Sequence, residues 1–177
     1  MKRLLILLFP IATVVLSCIK TEPVSTIPEI TFKSLEALLV TDTLGNIKTI
    51  GKLEFSFIDG DADIGVAEEV ANDTELPDSE RYNLFLTPYS KIDGIYSLIE
   101  YDSIPPYYSI VEDDKLTRVG QNKTIKGTIT LEIEDLPNYD TIRYDFYIRD
   151  RAGNNSNVET TTDIGTKINT GSYTILK

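Results

Sequence analysis

Three aspartates spaced two apart close an apolar alternation in Phe55-Ser56-Phe57-Ile58-Asp59-Gly60-Asp61-Ala62-Asp63-Ile64-Gly65. A second segment repeats the design: Ile142-Arg143-Tyr144-Asp145-Phe146-Tyr147-Ile148-Arg149-Asp150 runs into Arg151-Ala152-Gly153-Asn154-Asn155. Successive side chains of a strand point to opposite faces. Leu53, Phe55 and Phe57 therefore place Asp59 on their own face, and Ile142, Tyr144, Phe146 and Ile148 do the same for Asp150. A carboxylate aimed at the core side, where the strand leaves its sheet, needs a cation or a set of backbone N–H donors. Oxygen ligands on alternate loop residues can converge on one hard cation, and calcium suits such flexible sets. Asp59, Asp61, Asp63, Asp150 and Asn155 are the candidate calcium ligands. The competing reading is a loop whose aspartates accept hydrogen bonds from backbone N–H groups, as in Asx-turns.

The remaining chemistry is bounded by absences. The chain has no histidine and a single cysteine, Cys18. This removes histidine general bases, Ser-His-Asp and Cys-His nucleophiles, and ordinary zinc sites. Carboxylate, hydroxyl, lysine and tyrosine chemistry is left, and no pair among the 28 acidic residues is singled out by its setting. A non-enzymatic protein is expected. Tyr101, Tyr107 and Tyr108, around Pro105-Pro106, offer a stacking platform for a glycan. The alternative is tyrosines lying half-buried with their hydroxyls at the surface.

At the N-terminus, Lys2 and Arg3 precede an apolar run from Leu4 to Leu16 that is too short to span a bilayer. It reads as a secretory signal over residues 1–17. Val15-Leu16-Ser17-Cys18 resembles a bacterial lipobox, which implies cleavage before Cys18 and a lipid anchor on its sulfur. Residues 18–28 are polar and proline-punctuated and read as a tether, leaving 29–177 as one domain. Ile19 after the cysteine carries no aspartate-type inner-membrane retention signal, so the expected address is the outer membrane, with the leaflet open. Loss of Lys2 and Arg3 takes Lys plus Arg from 17 to 15 against 28 acidic residues, moving the net charge from -11 to -13. Such a domain is a poor candidate for nucleic acid, which rewards clustered Lys and Arg.

Strand signals recur along the domain. They cover parts of 29–40, 47–59, 82–88, 95–101, 124–134, 141–150 and 157–164, with a short piece at 172–176. Residues 89–94 read as a hairpin connection with Asp93-Gly94 as its turn pair. The connection from Asp59 to Arg81 is long, with room for one helical turn near Val66–Val70. About seven strands without an amphipathic helix predict a single antiparallel β-sandwich of the immunoglobulin-like class.

Leu136-Pro137 ahead of Tyr144-Asp145-Phe146-Tyr147-Ile148, followed by Asp150-Arg151-Ala152-Gly153-Asn154-Asn155-Ser156, resembles the last two strands of bacterial fibronectin type III modules. Together with Phe57–Gly65 after a lipobox, the chain resembles a group of uncharacterised Bacteroidetes-type lipoproteins. It departs from the fibronectin pattern in having no tryptophan and a longer corner. The resemblance implies that the Leu53–Asp59 and Ile142–Asp150 strands lie in opposite sheets and run the same way. Their two aspartate-bearing loops are then expected to meet at one pole. The expected function is an envelope-anchored binding or adhesion module with a calcium-stabilised pole. The alternative is a glycan-binding or spacer lipoprotein of a polysaccharide-uptake system. The EF-hand loop is matched only in part: glycine falls at Gly65, one place late, and Val70 stands where a bidentate glutamate belongs.

Overall fold

The computed structural model describes residues 24–41, 43–100, 107–111, 123–134, 136–137 and 139–166. Among them are eight strands in two antiparallel sheets. One sheet has the order β1 (Glu29–Thr41), β2 (Ile47–Asp59), β6 (Ile125–Ile133). The other has β4 (Ile95–Leu98), β3 (Leu84–Ile92), β7 (Ile142–Ile148), β8 (Glu159–Thr160), and β5 (Tyr107–Tyr108) also pairs with β3. Because β7 occupies one side of β3, β4 and β5 follow each other along its opposite edge. The β-sandwich expected from the alternation is thus the architecture observed, with eight strands where about seven were counted.

Alternation decides which face is buried. Leu53, Phe55 and Phe57 from β2 meet Ile142, Tyr144, Phe146 and Ile148 from β7 in the core between the sheets. The Phe55 and Phe146 rings lie 5.2 Å apart, and Phe32 adds an edge contact to Phe146 at 6.4 Å. On β6, Gly127 replaces the inward side chain beside Phe57, and a Cβ there would sit 3.0 Å from the Phe57 ring. The missing side chain is what admits that ring.

β1 carries a register shift between Phe32, paired with Phe55, and Ser34, paired with Glu54. The extra residue, Lys33, switches the inward face from the parity of Ile30 and Phe32 to that of Leu35. Past β7 the chain stitches the sheets together. Asn157 accepts from the Ile30 N–H and donates to the Ile30 carbonyl, while Glu159 accepts from the Phe32 N–H. These side chains occupy backbone groups of β1 that would otherwise form an open sheet edge.

Several boundaries differ from the sequence reading. β3 continues through Pro88 to Ile92, so only Asp93 and Gly94, with φ of 52° and 81°, form the hairpin turn. That two-residue connection with both φ positive matches the twist of its flanking strands. The expected strand over 157–164 is regular only at Glu159–Thr160, with isolated pairings of Ile142 with Ile164 and Arg149 with Asn155 around it. Residues 172–176 lie outside the described residues. The long connection holds two short helices, α1 (Glu68–Asn72) and α2 (Asp78–Arg81), where one turn was expected.

Candidate metal site

β2 and β7 leave their sheets at the same pole, and the loops that follow are joined. The Asp63 carbonyl accepts from the Arg151 N–H at 3.2 Å, and Asp63 Oδ2 accepts from the Ala152 N–H at 3.2 Å. Within the first loop, Asp59 Oδ2 accepts from the Asp63 N–H at 2.9 Å. Ala62, between Asp61 and Asp63, takes φ of 62°, a left-handed conformation that a side-chain-bearing residue adopts at a cost of about 1 kcal/mol. This turn bends the loop back so that the three carboxylates converge instead of fanning out along an extended chain.

One carboxylate oxygen from each of Asp59, Asp61 and Asp63 lies within 4.8 Å of the others. Two ligands at about 2.4 Å on opposite sides of a calcium ion stand about 4.8 Å apart, so the separations within the cluster are of the size that ligands of one ion show. The backbone N–H donors use one oxygen each of Asp59 and Asp63, which is the capping role considered above. They leave Oδ1 of Asp59, Asp61 and Asp63 shut off from solvent with no hydrogen-bond partner among the described residues. Asp59 itself has 0% of its surface exposed. A fully buried carboxylate oxygen without a donor carries a desolvation penalty that capping does not remove.

The electrostatics point the same way. Burial pushes the Asp59 carboxyl up from 3.8 to about 6, opposed by the Asp63 N–H and reinforced by the Asp61 carboxyl and the charge of Asp63. The Asp63 carboxyl is raised too, first by burial and then by the charges of Asp150 and Asp61, with the Ala152 N–H and Arg151 pulling the other way. These are the marks of anionic oxygens assembled without an equal countercharge.

Of the other residues predicted for the site, Asp150 reaches the same pole and is 5% exposed, but its oxygens are engaged. Oδ1 accepts from the Asn154 N–H at 2.7 Å and Oδ2 from the Asn154 side-chain amide at 2.8 Å. It shapes the second loop and adds charge beside Asp63. Asn155 turns away, its Oδ1 accepting from Arg149 Nε at 2.8 Å. Of the three tyrosines proposed as an aromatic platform, Tyr107 and Tyr108 do not share one surface. Tyr108 packs against the core, whereas its neighbour Tyr107 lies on the opposite side of the strand against Phe85 and Tyr82, at 5.0 and 6.1 Å. Adjacent strand residues must diverge in this way. Tyr101 and Cys18 lie outside the described residues.

Two features of the pole were not read from the sequence. The chain entering the domain is pinned there: the Gly60 N–H donates to the Ser25 carbonyl at 2.9 Å, and Pro28 is buried. A Cβ on Gly60 would fall 2.4 Å from that carbonyl oxygen, so this close approach requires glycine. The second is a cavity of about 510 Å3 between the two short helices and the loop after β7. Its walls come from segments far apart in the chain, and the unusual length of the 59–81 connection was its only sequence signal. No known protein family, curated protein or solved structure matches this chain.

Proposed function

We propose that this chain is a non-enzymatic, immunoglobulin-like binding module, exported and lipid-anchored at the bacterial outer membrane, with a loop pole that holds one calcium ion. The observation that carries the cation reading is the trio of solvent-excluded, unpartnered Oδ1 atoms on Asp59, Asp61 and Asp63. Calcium is the favoured ion because its bonds to oxygen are longer and it tolerates irregular oxygen geometry. Magnesium demands near-octahedral order at shorter distances. Exported modules bind calcium with dissociation constants on the order of 0.1–1 mM. At a hundredfold excess over that constant, calcium adds about 2.7 kcal/mol to folding. Thermal melts in calcium and in a chelator test this. Asp61→Asn removes most of the calcium-dependent rise, while Glu36→Gln on β1, outside the site, keeps it. A wild-type melt unchanged by calcium overturns the reading.

The anchor rests on Leu16-Ser17-Cys18 after the apolar leader. Cys18→Ala moves the protein out of the membrane fraction, and continued membrane retention of that variant contradicts the anchor. The second reading, a glycan-binding or spacer lipoprotein of a polysaccharide-uptake system, draws its support from the cavity at the pole. The tyrosines do not favour it, since Tyr107 and Tyr108 occupy opposite faces.

A further inference from the structure

We infer that β6 is a docking edge for a second copy of this chain, the two copies joined by antiparallel pairing of β6 with β6 about a two-fold axis at Ile129. This goes beyond the binding-module reading, rests on the fold alone and needs neither the cation nor the lipid anchor.

The edge of a sheet presents unpaired N–H and C=O groups, and natural sheets keep such edges short, bulged or covered. This chain does so elsewhere. β4, β5 and β8 have four, two and two residues. β1 carries the bulge at Lys33 and is covered by the side chains of Asn157 and Glu159. β6 is different. Its nine residues pair one to one with Gly51 to Asp59 of β2, with no register shift. Among the described residues no strand lies on its other side. It contains no proline, and its one glycine, Gly127, is not left-handed. Ile129 and Leu131 point to the core yet are only half-buried, as inward residues are when a strand lacks a neighbour on one side.

The sequence of β6 is complementary to itself. With Ile129 opposite Ile129, Lys126 of each copy faces Glu132 of the other, Thr128 faces Thr130, Gly127 faces Leu131 and Ile125 faces Ile133. Lys126 and Glu132 are exposed on the outer face, and neither has an ion-pair partner among the described residues. Opposite charges placed directly across a strand pair favour it, and like charges disfavour it. On the inner face, Leu131 arrives where Gly127 has no side chain. Slipping the pairing by two residues in one direction sets Lys126 against Thr130. In the other direction it meets Glu134, which lies past the strand and already pairs with Lys48 at 3.7 Å. A slip of one residue sets outer side chains against inner ones.

The two-fold also suits the charge of the chain. β6 begins beside Asp59, so antiparallel copies hold their acidic poles at opposite ends of the pair. The length of the strand, about 30 Å, separates them, which is several screening lengths at physiological salt. Two chains of net charge -11 thus meet away from their most acidic loops.

Sedimentation equilibrium of the full chain in density-matched detergent tests this. A reversible dimer is expected, weak because a single strand edge makes a small interface. Lys126→Glu and Glu132→Lys each set like charges against one another at both ends of the strand pair, and each weakens association by about tenfold or more. An equimolar mixture of these two variants associates as the wild type does, because every introduced charge then meets its opposite. Denaturant melts establish that both variants are folded. A wild type that stays monomeric up to about 1 mM overturns the proposal, the result expected if another segment of the chain covers this edge. A dimer indifferent to both reversals, or one weakened by them and not restored by mixing, overturns it too, since the contact then lies elsewhere.

Discussion

In a chelator at pH 7, Asp59→Asn should be more stable than the wild type, and saturating calcium should reverse the order. The buried Asp59 carboxyl titrates at about 6 in the folded protein, against about 3.9 in an unfolded chain. Between those values the folded state binds more protons. Stability from this group is therefore complete below about pH 4 and is lost as pH rises through 6. At pH 7 the ionised group carries the full penalty, on the order of 1–3 kcal/mol for a shift of this size. The Asp63 carboxyl, also raised by burial, contributes in the same direction.

An asparagine amide avoids that penalty: its oxygen keeps the hydrogen bond from the Asp63 N–H, and its nitrogen can donate toward the Asp61 carboxylate. The advantage of the variant should shrink toward pH 4, where the wild-type acid is itself neutral. With calcium bound, the wild type recovers about 2.7 kcal/mol at a hundredfold excess over the dissociation constant, and the variant recovers little. Chemical denaturation at pH 4, 5.5 and 7, with and without calcium, reads the crossover. A variant less stable than the wild type under every condition would show that Asp59 acts only as a cap.

The second large effect lies in the core. Phe146 is completely buried at the contact between the sheets, against Phe55 at 5.2 Å and Phe32 at 6.4 Å. Phe146→Ala should cost about 3–5 kcal/mol in denaturant unfolding, through lost transfer energy and the cavity left behind. Tyr147 points outward from the same strand, where its ring stacks on Phe85 at 4.9 Å. Tyr147→Ala should cost visibly less, because solvent can fill the space. Equal costs at the two positions would contradict the assignment of faces on β7.

These two strands were also the most legible part of the sequence. Unbroken alternation over Leu53–Asp59 and Ile142–Asp150 fixes which face is buried, and a terminal aspartate in phase with that face must enter the pole. Legibility fails where the period slips. The bulge at Lys33 moves the buried parity from Phe32 to Leu35, and the resulting spacing imitates a helix over Ser34–Leu39. Ser90, buried in β3, sits in a run that composition alone assigns to a turn. Asn155 has the right chemistry for a cation, but the preference of its neighbour Arg149 for an oxygen acceptor turns it aside. The cavity was out of reach because α1, α2 and the loop after β7 meet only through long-range packing. Tyr107 and Tyr108 show the limit of counting aromatic residues: adjacent positions on a strand cannot share a face.

Isothermal calorimetry of calcium into chelator-stripped wild-type protein distinguishes a cation site at the three aspartates from a merely tied loop. One calcium per chain, with a dissociation constant on the order of 0.1–1 mM and little uptake by Asp61→Asn, is the expected result. No calcium uptake up to about 10 mM, well above that range, would leave the aspartates with the loop-capping role alone.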